Sequence, residues 1–236
     1  MLSVPQRLKS EILAVNELHQ QLAKQPQLHA TFNKLRHWRG QRFEQLHADL
    51  QKDKRYQLAV HFIARDIFGA ADIQLRDQQM ATAFNTMIKV LPESLLNTVL
   101  LAMRLNHLSL SLDAELTQHY LAQEYALAEP VAINEAQYCQ AMRQLDKAQQ
   151  LQRIELIQQV GMNIDAVVRT PFVGIALKMC RAPARAANIW ALQLYLERGF
   201  AAFEPLRGAS IFLNMVRSRE NTIIENIMLG ADDFRY

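Results

Sequence analysis

The sequence contains little glycine and proline: its 236 residues include seven of each. Few positions therefore force a turn or interrupt a helix. Leucine, alanine, glutamine, methionine and arginine, which all favour helices, are abundant. The alternation of apolar and polar residues that marks half-buried strands is missing. These features predict an all-α protein, a single compact bundle of eight to ten helices with essentially no β-sheet, forming one domain over residues 1–236.

Cysteine is scarcer still. Cys139 and Cys180 are the only two, and they lack the spacing of a zinc site or a disulfide framework. Each lies in an apolar helical stretch, which predicts two buried free thiols. The N-terminus lacks the continuous apolar core of a signal peptide, and polar residues interrupt the longest apolar region, residues 95–112. We therefore expect a cytoplasmic protein without a transmembrane segment.

Neither sign of charge is in large excess. The formal net charge is +3, which is too small to indicate nucleic acid binding without a clustered basic face. The densest basic stretch is KLRHWRGQR, residues 34–42. We interpret it as a solvated helix face with Trp38 packed inward, and the alternative is a patch that contacts phosphates. No nucleic acid partner is predicted.

Motifs of common catalytic and cofactor sites are also missing. The chain contains none of the patterns GxxxxGK[ST], GxGxxG, HExxH and GxSxG. One Glu-x-x-His spacing occurs, at Glu44 and His47, but a carboxylate-bridged di-iron bundle needs two such elements and two further glutamates. The sequence therefore predicts no metal site, no cofactor and no catalytic residue.

Charged residues on apolar helix faces are the unusual feature of the chain. In HFIARDIFG, residues 61–69, helical periodicity places Asp66 within an arc formed by Ala59, Phe62, Ile63 and Ile67. In the last helix, Arg219 projects into the centre of an apolar face and Glu220 falls at its edge. An unpaired buried ion costs several kcal/mol. We therefore predict that Asp66 is one half of an internal ion pair or part of a hydrogen-bonded cluster, with Arg219 as the first expected partner.

Two further residues extend this candidate cluster. Gly69 is predicted to end the third helix and turn the chain back, which brings Arg76 and Asp77 beside Asp66. Buried ionic groups more often fix packing geometry than perform chemistry. We therefore interpret the cluster chiefly as structural, and a ligand-binding or catalytic role is the alternative. Its members are Asp66, Arg76, Asp77, Arg219 and Glu220.

A polar stripe follows the fifth predicted helix, at about residues 92–124. The first half of this helix is apolar around most of its circumference, which is typical of a central helix. Leucines interleave the stripe, so we interpret it as the exposed side of the helix, and the alternative is the lining of a pocket. The stripe consists of Asn97, Arg104, His107 and Ser111.

The residues around Asp66 also carry a family resemblance. The stretch from Phe62 to Phe68, followed by Gly69, resembles the motif that names the FFLEELY family of uncharacterised bacterial helical proteins. Phe62 matches the motif and four residues are similar in kind, whereas Ala64 is smaller and Arg65 reverses a charge. The similarity continues in Arg55–Tyr56, Arg76–Asp77, LPESLL (91–96), RAPARAANIWALQLYLERGFAAF (181–203) and Arg219–Glu220. The resemblance implies an all-helical fold and brings no known activity, cofactor or site residue.

These observations leave three functional hypotheses. The leading one is a non-catalytic helical protein that binds another protein, because catalytic and cofactor motifs are missing. The first alternative is a bundle with an internal pocket for a lipophilic ligand or haem-like cofactor, to which the Asp66 region or the His107 stripe contributes polar contacts. The second alternative is an enzyme that uses Asp66 as an acid or base.

Overall fold

The computed structural model describes residues 2–69, 72–123 and 133–236. No strand occurs in these ranges, and the predicted all-α fold is confirmed. The α-helices in these ranges are α1 (Val4–Ala23), α2 (Pro26–Leu46), α3 (Lys54–Phe62), α4 (Ile73–Val90), α5 (Glu93–Leu121), α6 (Glu135–Met142), α7 (Lys147–Val168), α8 (Val173–Met179), α9 (Arg181–Ala186), α10 (Trp190–Phe203) and α11 (Ser210–Met228). Counted with α8 and α9 as one helix, because only Cys180 separates them, the described residues form ten helices, within the predicted eight to ten.

Side-chain caps explain where several helices begin. The Ser3 hydroxyl accepts a hydrogen bond from the Gln6 amide, and the Gln6 side chain in turn accepts one from the Ser3 amide. Asp53 caps α3 and Asp146 caps α7 in the same way, each with its carboxylate on a free amide of the first turn. These bonds satisfy amides that have no partner inside the helix.

Helix α5 is central, as its apolar circumference predicts. It contacts α1, α2, α6 and α7. Two groups of buried apolar side chains form the core. One is built mainly from the second half of α5 and from α6, α7 and α11, the other mainly from α1, α4 and the first half of α5. Tyr195 of α10 packs against both groups and so joins them.

A π-helix, Ile63–Phe68, replaces the predicted end of the third helix. Two glycines allow its close packing. A Cβ atom at Gly40 of α2 would lie 2.5 Å from the Ala64 carbonyl oxygen, and one at Gly69 would lie 2.5 Å from the Arg65 carbonyl oxygen. Neither position has room for a larger residue, because the atom in the way belongs to the backbone. Helix α2 thus lies directly against the π-helix.

Helices α8 and α9 lie on the surface. No residue of α8 is buried, and Ala184 is the one buried residue of α9. No single helix among the described residues is long and apolar enough to cross a membrane. The pair formed by Lys147–Val168 and Val173–Ala186 reaches that length and composition, but it is bent by 91°.

Candidate functional site: a buried ion network and an exposed helix face

Asp66 lies on the π-helix with its side chain buried, and its ionic partner is Arg198 of α10. The Arg198 Nε atom lies 3.1 Å and 3.2 Å from the two carboxylate oxygens, and Nη2 lies 2.6 Å from Oδ1. The guanidinium therefore engages both carboxylate oxygens, which is the strong, directional form of this interaction. The pair ties α10 to the π-helix.

The predicted pairing of Asp66 with Arg219 is wrong. Arg219 donates hydrogen bonds of 2.7 Å and 2.6 Å to the two carboxylate oxygens of Asp49, near the surface. Its guanidinium also lies 4.8 Å from the ring centre of Tyr236. The buried residues of α11 include Val216, Glu220 and Ile227 but not Arg219. Arg219 therefore lies at the edge of the buried face and Glu220 within it, which is the reverse of the predicted placement.

Arg76 and Asp77 form a second buried group with His19 and Asn106. Asp77 Oδ2 lies 2.9 Å from His19 Nε2 and accepts a 2.9 Å hydrogen bond from Asn106 Nδ2. Arg76 Nε donates to Asp77 Oδ1 at 2.9 Å. Burial would raise the pKa of Asp77, but the Arg76 charge and the bonds from His19 and Asn106 outweigh it and lower the pKa below its ordinary value. Arg76 also reaches the main-chain oxygen of Asp66, at 3.3 Å, and so links the two groups.

A third buried group surrounds Asp113 of α5. Arg36, Arg39 and Arg153 all donate to its carboxylate; the distance is 2.9 Å for Arg39 Nη1 and 3.1 Å for Arg153 Nη1. Burial, followed by the neighbouring Arg39 charge, lowers the pKa of Arg153 to about 10, so its guanidinium stays charged at neutral pH. Three cations thus share one carboxylate, and this group joins α2, α5 and α7.

The end of the π-helix compensates for part of this excess positive charge. The last carbonyl groups of a helix lack partners within it and carry partial negative charge. Arg36 Nη2 donates to the carbonyl oxygens of Ile67, at 2.9 Å, and Gly69, at 2.7 Å. The Phe68 ring adds a second contact, because the Arg39 guanidinium lies 4.2 Å from its centre. Arg36 therefore caps the end of the π-helix, and Arg39 packs on its last side chain.

Glu220 lies near this third group and not near Asp66. Its side chain is buried, and Oε1 has no hydrogen-bond partner among the described residues. Burial raises the pKa of Glu220 to about 7, and the charges of Arg39 and Arg153 limit that rise. Glu220 is thus partly protonated near neutral pH.

The interpretation of residues 34–42 as a solvated face holds for Lys34, His37 and Gln41, which are exposed, but is wrong for two arginines. Arg36 and Arg39 of this basic stretch are buried in the Asp113 group. Trp38 packs inward, 4.8 Å from the ring centre of Tyr138. The stretch supplies core cations because Asp113 lies opposite α2, and that neighbour is far away in sequence.

The polar stripe on α5 lies along the side of the helix. Asn97 and Arg104 are exposed, and Ser111 is half-buried. His107 Nδ1 lies 2.8 Å from a carboxylate oxygen of Glu11 on α1. Two open clefts in the described surface are lined by other residues. The stripe is therefore partly solvated and partly a contact with α1.

Three large apolar side chains project from the α8 region into solvent. Phe172 is 78% exposed, Ile175 is 59% exposed and Met179 is 73% exposed. Ile175 and Met179 lie four residues apart on one face of α8, and Phe172, which directly precedes the helix, lines the same open cleft as Ile175. We name these three residues the α8 face. Cys180, which follows Met179, is exposed too, so the prediction that both cysteines are buried is wrong for Cys180. Cys139 is buried, and both thiols are free.

Contacts with α10 hold the α8 face in place. Gly174 packs on the Phe200 ring so closely that a Cβ atom would lie 2.9 Å from Cζ. Gln193 Nε2 donates a 2.7 Å hydrogen bond to the carbonyl oxygen of Leu177 near the end of α8. Phe172 has a φ of 68°, a left-handed conformation that is costly for an aromatic residue. The exposed phenyl ring is therefore displayed by a strained backbone.

Positive charge accompanies the α8 face. No acidic residue occurs between Asp165 and Glu197, whereas the same stretch contains Arg169, Lys178, Arg181 and Arg185. Two of these cations have acidic partners at either end of the stretch: Asp165 binds Arg169 and Glu197 binds Arg181. An open cleft of about 570 Å³ between α8 and α10 adjoins the face. The surface thus combines apolar side chains with a surplus of cations.

Comparison with known proteins places the chain in a family. No curated protein and no solved structure is significantly similar to it. One family model, the domain of unknown function DUF8198, matches residues 18–234. This match includes the π-helix, all three buried ion groups and the α8 face. The chain belongs to the DUF8198 family.

Proposed function

We propose that this DUF8198 protein acts by binding, and that its α8 face docks on another protein. The observation that supports this proposal is the exposure of three large apolar side chains on, and directly before, a helix with no buried residue. Contiguous exposed apolar surface on a folded protein commonly marks an interaction site. The contacts of Gly174 and Leu177 with α10 fix the face before binding, which lowers the ordering cost of association.

The partner has an apolar centre surrounded by carboxylates. The apolar centre covers Phe172, Ile175 and Met179, because interface energy concentrates where large side chains become fully desolvated. The carboxylates complement a stretch of 31 residues, 166–196, that has four cations and no acidic residue. Such complementarity chiefly accelerates association and selects the partner.

The test compares two double variants of the full chain. Partners are recovered from a cell lysate, and the affinity of each purified partner is then measured. Phe172→Ser with Met179→Ser removes two anchors, each expected to contribute about 1–2 kcal/mol or more, so partner affinity falls at least about thirtyfold. The matched control, Leu13→Ser with Val90→Ser, removes two apolar side chains that are also exposed, on α1 and α4, and leaves that affinity unchanged. Circular dichroism spectra of all variants match the wild type.

Three outcomes contradict this proposal. Equal loss of affinity in both double variants means that the partner does not use the α8 face. Binding of the purified protein to vesicles of anionic lipid, lost in the Phe172 and Met179 variant, assigns the face to a membrane surface. A concentration-dependent dimer that the same variant abolishes assigns it to a second copy of this chain.

No structural observation specifically favours the other two hypotheses. Both carboxylate oxygens of Asp66 are engaged by Arg198, and Asp66 lines neither open cleft. Membership of the FFLEELY family, bacterial origin, cytoplasmic location and a single domain over residues 1–236 stay predictions.

A further inference from the structure

A second open cleft, of about 600 Å³, lies where the start of α3 meets the connection between α10 and α11. This volume is in the range of small-molecule sites. The residues that line the cleft include three cations and no acidic residue. Its principal lining residues are Lys54, Arg55, Tyr56, Leu206, Arg207 and Ile211.

Two of the three cations are available to a ligand. Arg55 already holds Asp53, with Nη2 2.6 Å from Oδ2. Lys54 and Arg207 have no acidic partner within the part of the chain that the structure describes. The backbone of Arg207 is left-handed, with a φ of 50°, and Gly208 follows with a φ of 126°. This tight connection fixes the main chain that carries the Arg207 side chain.

The rest of the lining is apolar or aromatic. The Tyr56 ring packs against the Phe212 ring, and the two ring centres lie 5.3 Å apart. The Arg55 guanidinium lies 5.2 Å from the Tyr56 ring centre, which restrains both side chains. The Tyr56 hydroxyl makes no hydrogen bond to any described residue, and Leu206 and Ile211 supply apolar surface. The cleft therefore pairs free donors with a hydrophobic wall.

We propose that this cleft binds a small organic phosphate: a phosphoryl group between Lys54 and Arg207, with an attached ring against Tyr56 and Ile211. A phosphate dianion has three acceptor oxygens, so it can accept from a lysine, an arginine and a phenol at once. A carboxylate carries a single negative charge, whereas a phosphate carries about 1.5 to 2 and so matches the two free cations more closely. The ring covers Ile211, which is otherwise 65% exposed. This site is independent of the α8 face.

Isothermal titration calorimetry of the full chain at low salt tests the proposal. The probes are adenosine monophosphate, 4-nitrophenyl phosphate, adenosine and inorganic phosphate. We expect at least one ring-bearing phosphate to bind with a Kd below about 1 mM. Adenosine and inorganic phosphate each lack one half of the ligand, and we expect each to bind at least about tenfold more weakly.

Charge-matched variants locate the site. Lys54→Gln with Arg207→Gln weakens binding of the ring-bearing phosphate by about tenfold or more. Lys9→Gln with Lys24→Gln makes the same change in net charge on or beside α1, whose main contacts are with α2, α4 and α5, and leaves the affinity within about twofold.

The proposal is overturned when neither ring-bearing phosphate binds, or when the two double variants weaken binding equally. Inorganic phosphate that binds as tightly as the ring-bearing probes overturns the assignment of an organic ligand. Adenosine that binds as tightly as its monophosphate overturns the assignment of a phosphoryl group.

Discussion

Replacing either member of the Asp66–Arg198 pair should destabilise the protein, and by different amounts. Removing one partner of a buried ion pair costs about 3–5 kcal/mol when the other charge stays buried. The Asp66 side chain is 2% exposed and the Arg198 side chain is 30% exposed. Asp66→Ala therefore leaves a guanidinium that water can reach, and we expect a loss of about 2–3 kcal/mol. Arg198→Met strands a carboxylate that water cannot reach, and we expect about 3–5 kcal/mol.

Urea unfolding at pH 7, followed by circular dichroism, measures these losses and their coupling. The double variant should lose at least about 1 kcal/mol less than the sum of the single losses. The control cycle combines Asp66→Ala with Arg219→Met and should be additive within about 0.5 kcal/mol, because Arg219 binds Asp49. Additivity in the Asp66–Arg198 cycle, or coupling only in the control cycle, refutes the reasoning.

Three further predictions concern buried groups. Burial raises the pKa of Glu220 from 4.5 to about 7. The folded protein therefore favours protonated Glu220, and the stability that goes with this form is complete below pH 4.5 and is lost as the pH rises through 7. Glu220→Gln should therefore stabilise the protein by about 3 kcal/mol at pH 8 and little at pH 4, and urea unfolding at both values checks this. Gly40→Ala should cost about 2 kcal/mol or more and Gly161→Ala less, because a Cβ meets a backbone carbonyl at Gly40 and a flexible leucine at Gly161; thermal melts rank the two. A thiol reagent should modify exposed Cys180 in the native protein and Cys139 only after unfolding, since burial raises the pKa of the Cys139 thiol to about 12. The opposite order of thiol labelling would contradict the fold around α6.

The helical class of the protein was predictable because it depends on local properties. Seven glycines and seven prolines leave long uninterrupted segments, and the apolar circumference of α5 marks a central helix. The π-helix was not predictable in this way, since periodicity assumes 100° per residue. Its wider turn depends on the close packing of Gly40 and on the cap formed by Arg36. Both contacts come from α2, more than twenty residues earlier.

The candidate cluster shows that helical periodicity can identify a buried charged residue but not the residue that pairs with it. It selected Asp66 correctly as a residue of a buried face, but its partner is 132 residues away, and only the tertiary fold decides between Arg198 and Arg219. The same periodicity applied to α2 places Arg36 and Arg39 on the buried face. Burial of these two arginines could therefore have been predicted from the sequence, whereas their shared partner Asp113 could not.

The exposure of the α8 face could not be predicted from the sequence, for a different reason. An apolar helix is by default a core helix, so Phe172, Ile175 and Met179 gave no sign of exposure. Their exposure follows from the position of α8 outside α10, where Gly174 rests on Phe200. Only the arrangement of α8 and α10 shows that this apolar face is exposed to solvent.

Site-specific photo-crosslinking tests the central claim, that the α8 face binds a protein, most directly. A photoreactive amino acid replaces Ile175, and in a parallel sample it replaces Val90 of α4, which is 68% exposed. The cells are irradiated, and the adducts are identified by mass spectrometry. We predict one discrete protein adduct from position 175 and none from position 90. A lipid adduct at position 175, an adduct with a second copy of this chain, or the same protein adduct from both positions would contradict the claim.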